Sequence, residues 1–202
     1  MNVALIGATG NVGRRLLAEL TARGHRVTAI ARDAARVAAG PGVAAVAGDV
    51  ADPDGLARIL AGHDAAISAV RFLDGDPGRL LAAVRGARVP RYLVVGGAGS
   101  LEVAPGVALV DTPEFPAAYK DEALAGRRFL DALYDVTDID WTFLSPSALL
   151  LPGERTGRFR LGGDRLLAGE GGSRISIEDY AVALVDELER PAHSRRRFTV
   201  GY

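Results

Sequence analysis

The sequence predicts an α/β protein in which a mostly parallel, doubly wound sheet carries helices on both faces. Three observations lead there. Short apolar runs alternate regularly with amphipathic stretches of helical period from residue 2 to residue 95. Hydrophobic residues make up 49% of the 202 residues but aromatics only 6%, so the core is built largely from Ala, Val and Leu, as strands buried on both sides require. A glycine-rich turn, Gly7-Ala8-Thr9-Gly10-Asn11-Val12-Gly13, joins the first apolar run to the first amphipathic one.

Asn2 to Ile6 reads as the first strand, because an apolar run of that length ends at a glycine. Residues 12 to 23 read as a helix with Val12, Leu16, Leu17 and Leu20 on one side, stopped by Gly24-His25. Arg26 to Ala31 is the second strand, and a short helical piece is expected over residues 33 to 39 before Gly40-Pro41-Gly42 breaks it. Val43 to Ala47 is the third strand. Residues 53 to 61 form a helix that turns Leu56, Ile59 and Leu60 inward. Ala65 to Val70 is the fourth strand, and Pro77 opens a helix with Leu80, Leu81 and Val84 inside. Pro90 to Val95 is the fifth, running into Gly96-Gly97-Ala98-Gly99-Ser100. Residues 101 to 118 lack a period and read as a loop over the sheet. A long helix follows at 119 to 134, then a sixth strand at Asp140 to Leu144. Short β-prone pieces occupy residues 152 to 177, a last helix runs from Glu178 to Glu189 with Ser176 as N-cap, and Phe198 to Val200 is a terminal strand. No internal repeat or linker interrupts this order, so residues 1 to 202 are expected to form one domain.

The glycine turn fits G-x-x-G-x-x-G between a strand and a helix, the context in which such spacing binds a dinucleotide. Gly7 permits the turn off the strand, Gly10 clears space for a pyrophosphate, and Gly13 lets the helix approach the sheet. Free N–H groups at the helix start, with the helix dipole behind them, suit the phosphates. Thr9, Asn11 and Val12 fall in the same turn. The second strand ends at Arg32 rather than at an acid. A guanidinium there, with Arg14 beyond Gly13, suits a 2′-phosphate and favours NADP(H); Asp33, one residue on, keeps NAD(H) as the alternative. Asp49 either accepts from the adenine amino group, with Val50 beside the ring, or serves as an N-cap or turn acid. Small residues at Ser68, Ala69 and Val70 leave room for ribose and pyrophosphate, and Gly97 and Pro146 are expected near the nicotinamide, with Arg71 and Phe72 closing over that side.

Candidates for chemistry are fewer. Hydride transfer needs positioning and a proton donor. The usual Tyr-x-x-x-Lys arrangement is absent, since Lys120 is the only lysine and it directly follows Tyr119. Adjacent helical residues point about 100° apart, so the two cannot both face a site: either Lys120 binds ribose or phosphate or Tyr119 lines the substrate cavity, or both lie on a solvated face. Ser100 sits where open α/β sheets hold small ligands: either its hydroxyl orients a substrate or it caps a loop. Arg155, Arg158 and Arg160 either meet an anionic substrate or belong to a solvated hairpin. Residues 101 to 118 and 147 to 177 are the expected substrate-side loops.

Several classes are excluded. Without cysteine there is no disulfide or thiolate chemistry, and His25, His63 and His193 lack metal-ligand spacing, so no metal site is expected. The formal net charge of −1 gives no reason to expect a nucleic-acid partner. The start runs straight into an apolar strand with no basic segment before it, and no apolar stretch approaches the roughly twenty residues of a membrane span. No membrane association is therefore expected, the cytoplasm is the expected location, and the chain is expected as a monomer or homodimer.

Taken together, GATGNVG, AVAGDV, VVGGAGSL, FPAAYKDEA, DWTFLSPSA, PGERTGRFRLG, SRISIEDYAVALVDELE and RRFTVGY resemble the atypical short-chain dehydrogenases/reductases of the NmrA-like group, notably its small bacterial NADH-flavin reductases and biliverdin reductase B-like proteins. That resemblance spans nearly the whole chain. It implies a Rossmann-type domain with a reduced C-terminal substrate region, an NADPH-dependent transfer of hydride to a flavin, quinone or similar planar acceptor, Ser100 as the substrate-side hydroxyl, and Asp179 and Tyr180 as structural residues. The alternatives are a non-catalytic NADP(H) sensor and an epimerase- or dehydratase-like enzyme.

Overall fold

The computed structural model describes residues 1 to 202. The glycine turn lies between β1 (Asn2–Ile6) and α1 (Asn11–Ala22). There follow β2 (Arg26–Ala31), β3 (Val43–Ala47), α2 (Pro53–Leu60), β4 (Ala65–Ser68), α3 (Pro77–Ala87) and β5 (Arg91–Val95). Asp52 and Asp76 cap α2 and α3 by accepting from Gly55 N and Arg79 N, with a proline opening each helix. The helix expected at 33 to 39 is a single 3₁₀ turn at Ala34–Arg36, since Gly40-Pro41-Gly42 leaves no length for a regular helix.

The second half is more ordered than its composition predicts. The expected loop at 101 to 118 contains a small hairpin, β6 (Glu102–Ala104) with β7 (Val107–Ala108). Next come α4 (Ala117–Tyr134), β8 (Asp140–Pro146), β9 (Leu149–Leu151), β10 (Arg160–Gly162), β11 (Arg174–Ser176), α5 (Ile177–Glu189) and β12 (Arg196–Gly201). Ser176 caps α5 by accepting from Asp179 N, as its position predicts.

One eight-stranded sheet runs β10-β12-β8-β5-β4-β1-β2-β3. All neighbours pair in parallel except β10, which closes the edge antiparallel to β12. Strand order reverses between β1 and β4, both of which pair with each other and lead away in opposite directions. A doubly wound sheet leaves a crevice at the strand ends there.

Alternation along each strand divides the core. Val3, Leu5, Leu93 and Leu144 face α1 and α5, whereas Ala4, Ile6, Tyr92, Val94, Trp141 and Phe143 face α2, α3 and α4. Each fully buried large side chain contributes roughly 1.5–3 kcal/mol relative to exposure. Away from the crevice, Arg91 at the start of β5 ties the sheet to α5, donating to Glu187 Oε1 at 2.9 Å and Thr142 Oγ1 at 2.6 Å. No helix is long and apolar enough to cross a membrane.

Candidate functional site

The turn after β1 is held from below. Gly7 N and Ala8 N both donate to Ile30 O, at 2.9 and 3.2 Å, and Gly7 takes φ +84°, a region that strains any side chain. A Cβ on Gly7 would stand 2.6 Å from Ala69 O, and one on Gly13 would stand 2.1 Å from Gly7 O. Packing within the protein therefore requires both glycines. Gly10 differs: its φ of −72° suits any residue, and an added Cβ would meet Gly7 O only at 3.4 Å. The protein leaves space for a methyl group at Gly10 and leaves it unfilled. No side chain caps α1, no acid occupies its first turn, and the N–H groups of Asn11, Val12 and Gly13 find no acceptor in the chain. Open space above unpaired donors at a helix start is the arrangement that receives a pyrophosphate, so the residues present fit a dinucleotide.

Beside this turn lies a cleft of about 240 Å³, lined by Thr9, Gly10, Arg32, Asp49, Val50 and the start of the segment after β4. Arg32 makes no ion pair, while Asp33 is turned to its own backbone, accepting from Ala35 N at 3.1 Å, and does not line the cleft. Asp49 shapes its own loop by accepting from Ala51 N at 2.9 Å. Arg14 is exposed on the first turn of α1 and is not part of the lining. Ala69 and Val70 line the cleft, but Ser68 does not. Its hydroxyl is buried, accepting from Tyr92 Oη at 2.9 Å, because the alternation of β4 turns it toward the α2–α4 side. The Ser68 side chain, expected beside a cofactor, is therefore turned away from this cleft.

A second cleft, about 520 Å³, opens at the ends of β5 and β8. Gly96, Gly97 and Pro146 form its base; Leu109 and Phe115, with Tyr119 and Ala123 of α4, form one wall; Leu149 and Leu150 form the other. The base is rigid. Tyr180 Oη donates to Leu144 O at 2.7 Å and accepts from Gly96 N at 3.2 Å, bridging the two strand ends. Burial raises the Tyr180 pKa well above its ordinary value, against the opposing Gly96 N–H, so the phenol stays neutral and structural. Asp179, also buried, accepts from Gly157 N at 2.8 Å and from Tyr202 Oη at 2.8 Å.

The segment after β4 separates the clefts. Arg71 lines the first and Phe72 the second. The Phe72 ring packs on Phe129 and Phe143 at centroid distances of 5.5 and 6.0 Å. Glu122 of α4 holds this segment in place, accepting from Phe72 N at 2.7 Å and Leu73 N at 3.2 Å. Nothing in the sequence marks Glu122, because its partners lie about fifty positions away and no local pattern encodes such a contact.

The candidate chemical residues separate in space. Tyr119 lines the second cleft at its mouth; Lys120 is exposed and does not. Ser100 lies outside that lining, with its hydroxyl accepting from Arg197 Nη1 at 3.1 Å while Arg197 also binds Asp164 at 2.6 Å. The strand pairing of β12 with β8 thus brings Arg197 to the Ser100 hydroxyl, a contact that fastens the loop. Of the expected substrate-side loops, 109 to 116 and 148 to 150 reach the cleft. Residues 153 to 159 are strapped instead across α1 and α5. There Arg155 pairs with both carboxylate oxygens of Glu19 at 2.7 and 2.8 Å, and Gly153 N donates to Glu178 at 2.8 Å. Arg160 is bound to Ala168 O and Tyr202 O, and Arg158 is exposed; none of the three arginines lines the cleft.

Comparison with known proteins agrees with this geometry. Residues 7–189 match the NAD(P)H-binding family. The chain is 41% identical over 211 residues to the uncharacterised protein YwnB of Bacillus subtilis, covering 99% of this chain and 98% of that one. The solved structure of a candidate epimerase from Bacteroides thetaiotaomicron superimposes with a TM-score of 0.93 at 41% identity, covering 100% of this chain and 96% of the other. That of a candidate NADH-flavin reductase from Streptococcus pneumoniae TIGR4 gives 0.86 at 35% identity, covering 100% and 99%. With a match across almost its full length and relatives of this identity, the chain belongs to the NAD(P)H-binding family.

Proposed function

We propose that the protein is an NADPH-dependent reductase that passes hydride to a planar acceptor such as a flavin or quinone. The observation that carries this reading is the mostly apolar 520 Å³ cleft at the same sheet edge as the dinucleotide turn, separated from the first cleft only by the segment after β4. Likeness to a candidate NADH-flavin reductase supports it. Within the family, residues 96 to 101 and 173 to 188 favour a place among the NmrA-like reductases.

When bound, NADPH supplies the hydride. The chain's own part is placement. Thr9, Gly10 and the free donors of Asn11, Val12 and Gly13 hold the pyrophosphate. Arg32 receives the 2′-phosphate, and Asp49 and Val50 meet the adenine. Gly97 and Pro146 bound the nicotinamide end, with Phe72 as the wall between the clefts. Tyr119 contacts the acceptor at the mouth, Lys120 stays in solvent, and Ser100 fixes the loop beneath. A planar acceptor whose reduced form is stabilised by delocalisation can draw its proton from water, so the missing Tyr-x-x-x-Lys pair does not bar the reaction. Epimerisation fits less well, for it needs a base held at the reacting carbon. Tyr119 has no lysine one turn on, and the Glu122 carboxylate is committed to Phe72 N and Leu73 N.

The test is the loss of reduced-nicotinamide absorbance with purified protein, NADPH or NADH, and a panel of riboflavin, FMN, quinones and dichlorophenolindophenol. Acceptor-dependent oxidation well above the enzyme-free rate, faster with NADPH, is expected. Tight NADPH binding without turnover of any acceptor would refute the reductase reading in favour of a sensor.

A further inference from the structure

The second cleft has an unbalanced charge. The chain carries 24 Lys and Arg side chains, yet none lines it. Its ionisable lining residues are Glu114, Tyr119 and Glu122. Glu122 is partly compensated by the Phe72 and Leu73 N–H groups and by Arg71 at 3.7 Å. Glu114 is exposed at the cleft and pairs with no basic group. The nearest candidate cation in sequence, Lys120, follows Tyr119 on α4 but is turned out of the lining. Apolar walls supply affinity for a flat ring without regard to its charge, so the sign of the ionisable residues decides which substituents the ring can carry.

Resting on the reductase reading, we infer that this cleft selects uncharged or cationic planar acceptors and discriminates against those bearing phosphate or carboxylate groups. Riboflavin and FMN share one ring system and differ by a terminal phosphate, so they isolate the effect. A phosphate dianion about 8 Å from one free carboxylate, in water-like surroundings, loses roughly fivefold in affinity. Phosphates of a bound dinucleotide, of the same sign, add to the discrimination. Salt screens an exposed interaction of this kind, with a Debye length near 30 Å at 0.01 M and about 3 Å at 1 M.

The experiment measures riboflavin and FMN side by side, by quenching of flavin fluorescence with NADP⁺ saturating and by kcat/KM for NADPH oxidation. Wild-type protein is compared with Glu114→Gln and Glu114→Arg at low and high salt. Expected are a riboflavin preference of about fivefold at low salt, its decline at high salt, a smaller preference in Glu114→Gln, and equality or reversal in Glu114→Arg. Glu114 makes no ion pair and is exposed, so neither variant threatens the fold. FMN bound as well as or better than riboflavin at low salt overturns the charge selection while leaving the reductase reading intact. Selective binding without turnover of either flavin sustains the charge selection and overturns the reductase reading. A preference unchanged in Glu114→Arg overturns the assignment to this carboxylate.

Discussion

Gly10→Ala separates binding from folding at a single methyl group. The residue has φ −72° and ψ 170°, which alanine adopts freely, and the new Cβ would lie 3.4 Å from Gly7 O and 3.8 Å from Ala69 O, ordinary packing distances. The folded chain therefore accepts it, and lower entropy in the unfolded chain contributes about 0.4–1 kcal/mol of stability. The same methyl occupies the space above the donors of Asn11, Val12 and Gly13. A hydrogen bond to a charged oxygen contributes about 1.5–3 kcal/mol, so losing one weakens NADPH roughly ten- to 150-fold. Gly13→Ala is the control. Its Cβ would stand 2.1 Å from Gly7 O and 3.0 Å from Ala8 Cα, both backbone atoms that cannot swing aside, and overpacking of that kind costs about 1–3 kcal/mol or more. Calorimetric titration with NADPH and thermal unfolding of both variants read the two effects. Gly10→Ala with wild-type NADPH affinity, or with a loss of melting temperature matching Gly13→Ala, would refute the reasoning.

Two further changes probe the edges of the site and the fold. Arg32→Ala removes a cation at the first cleft that has no protein partner, and is expected to weaken NADPH about tenfold with little change in NADH; equal losses by calorimetry would remove Arg32 from the 2′-phosphate. Further along α1, the Arg155 hydrogen bonds hold Glu19 below the ordinary carboxylate pKa, with Arg23 adding to the effect against the opposing influence of burial. A lowered folded pKa stabilises the fold above the unfolded value, and that stability is lost as pH falls through the folded value. Arg155→Ala should therefore lower the melting temperature modestly at neutral pH, since Arg155 is more than half exposed, and flatten its decline on the acid side. Parallel melting curves for wild type and variant across that range would count against the pairing.

Much of the dinucleotide end was legible because its signals are local. The glycine spacing, the strand before it and the helix after it all fall within residues 2 to 22, and a turn's geometry depends on few neighbours. Arg32 and Asp49, each following a strand end, line the first cleft by the same local logic. Ser68 shows the limit of this reasoning. Position at a strand end does not say which face a side chain takes, and Tyr92 on the adjacent strand claims its hydroxyl. The second cleft was less legible, because its walls come from α4, β8–β9 and the 109–116 segment, which are brought together only by the fold.

The sequence by itself determined the alternation of strands and helices, the glycine turn with its unpaired donors, the absence of a Tyr-x-x-x-Lys pair and the absence of thiol chemistry. Each follows from residue identity and short-range spacing. The tertiary structure alone decided that Arg197, brought in by β12 against β8, occupies Ser100; that Arg155 leaves the substrate side to pair with Glu19; that Tyr119 and not Lys120 meets the cleft; and that Glu122 fixes the segment between the clefts. These contacts join residues from 49 to 136 positions apart, apart from the Tyr119–Lys120 choice, which rests on how α4 is seated. Packing a whole chain settles such partnerships, and local propensity carries no record of them.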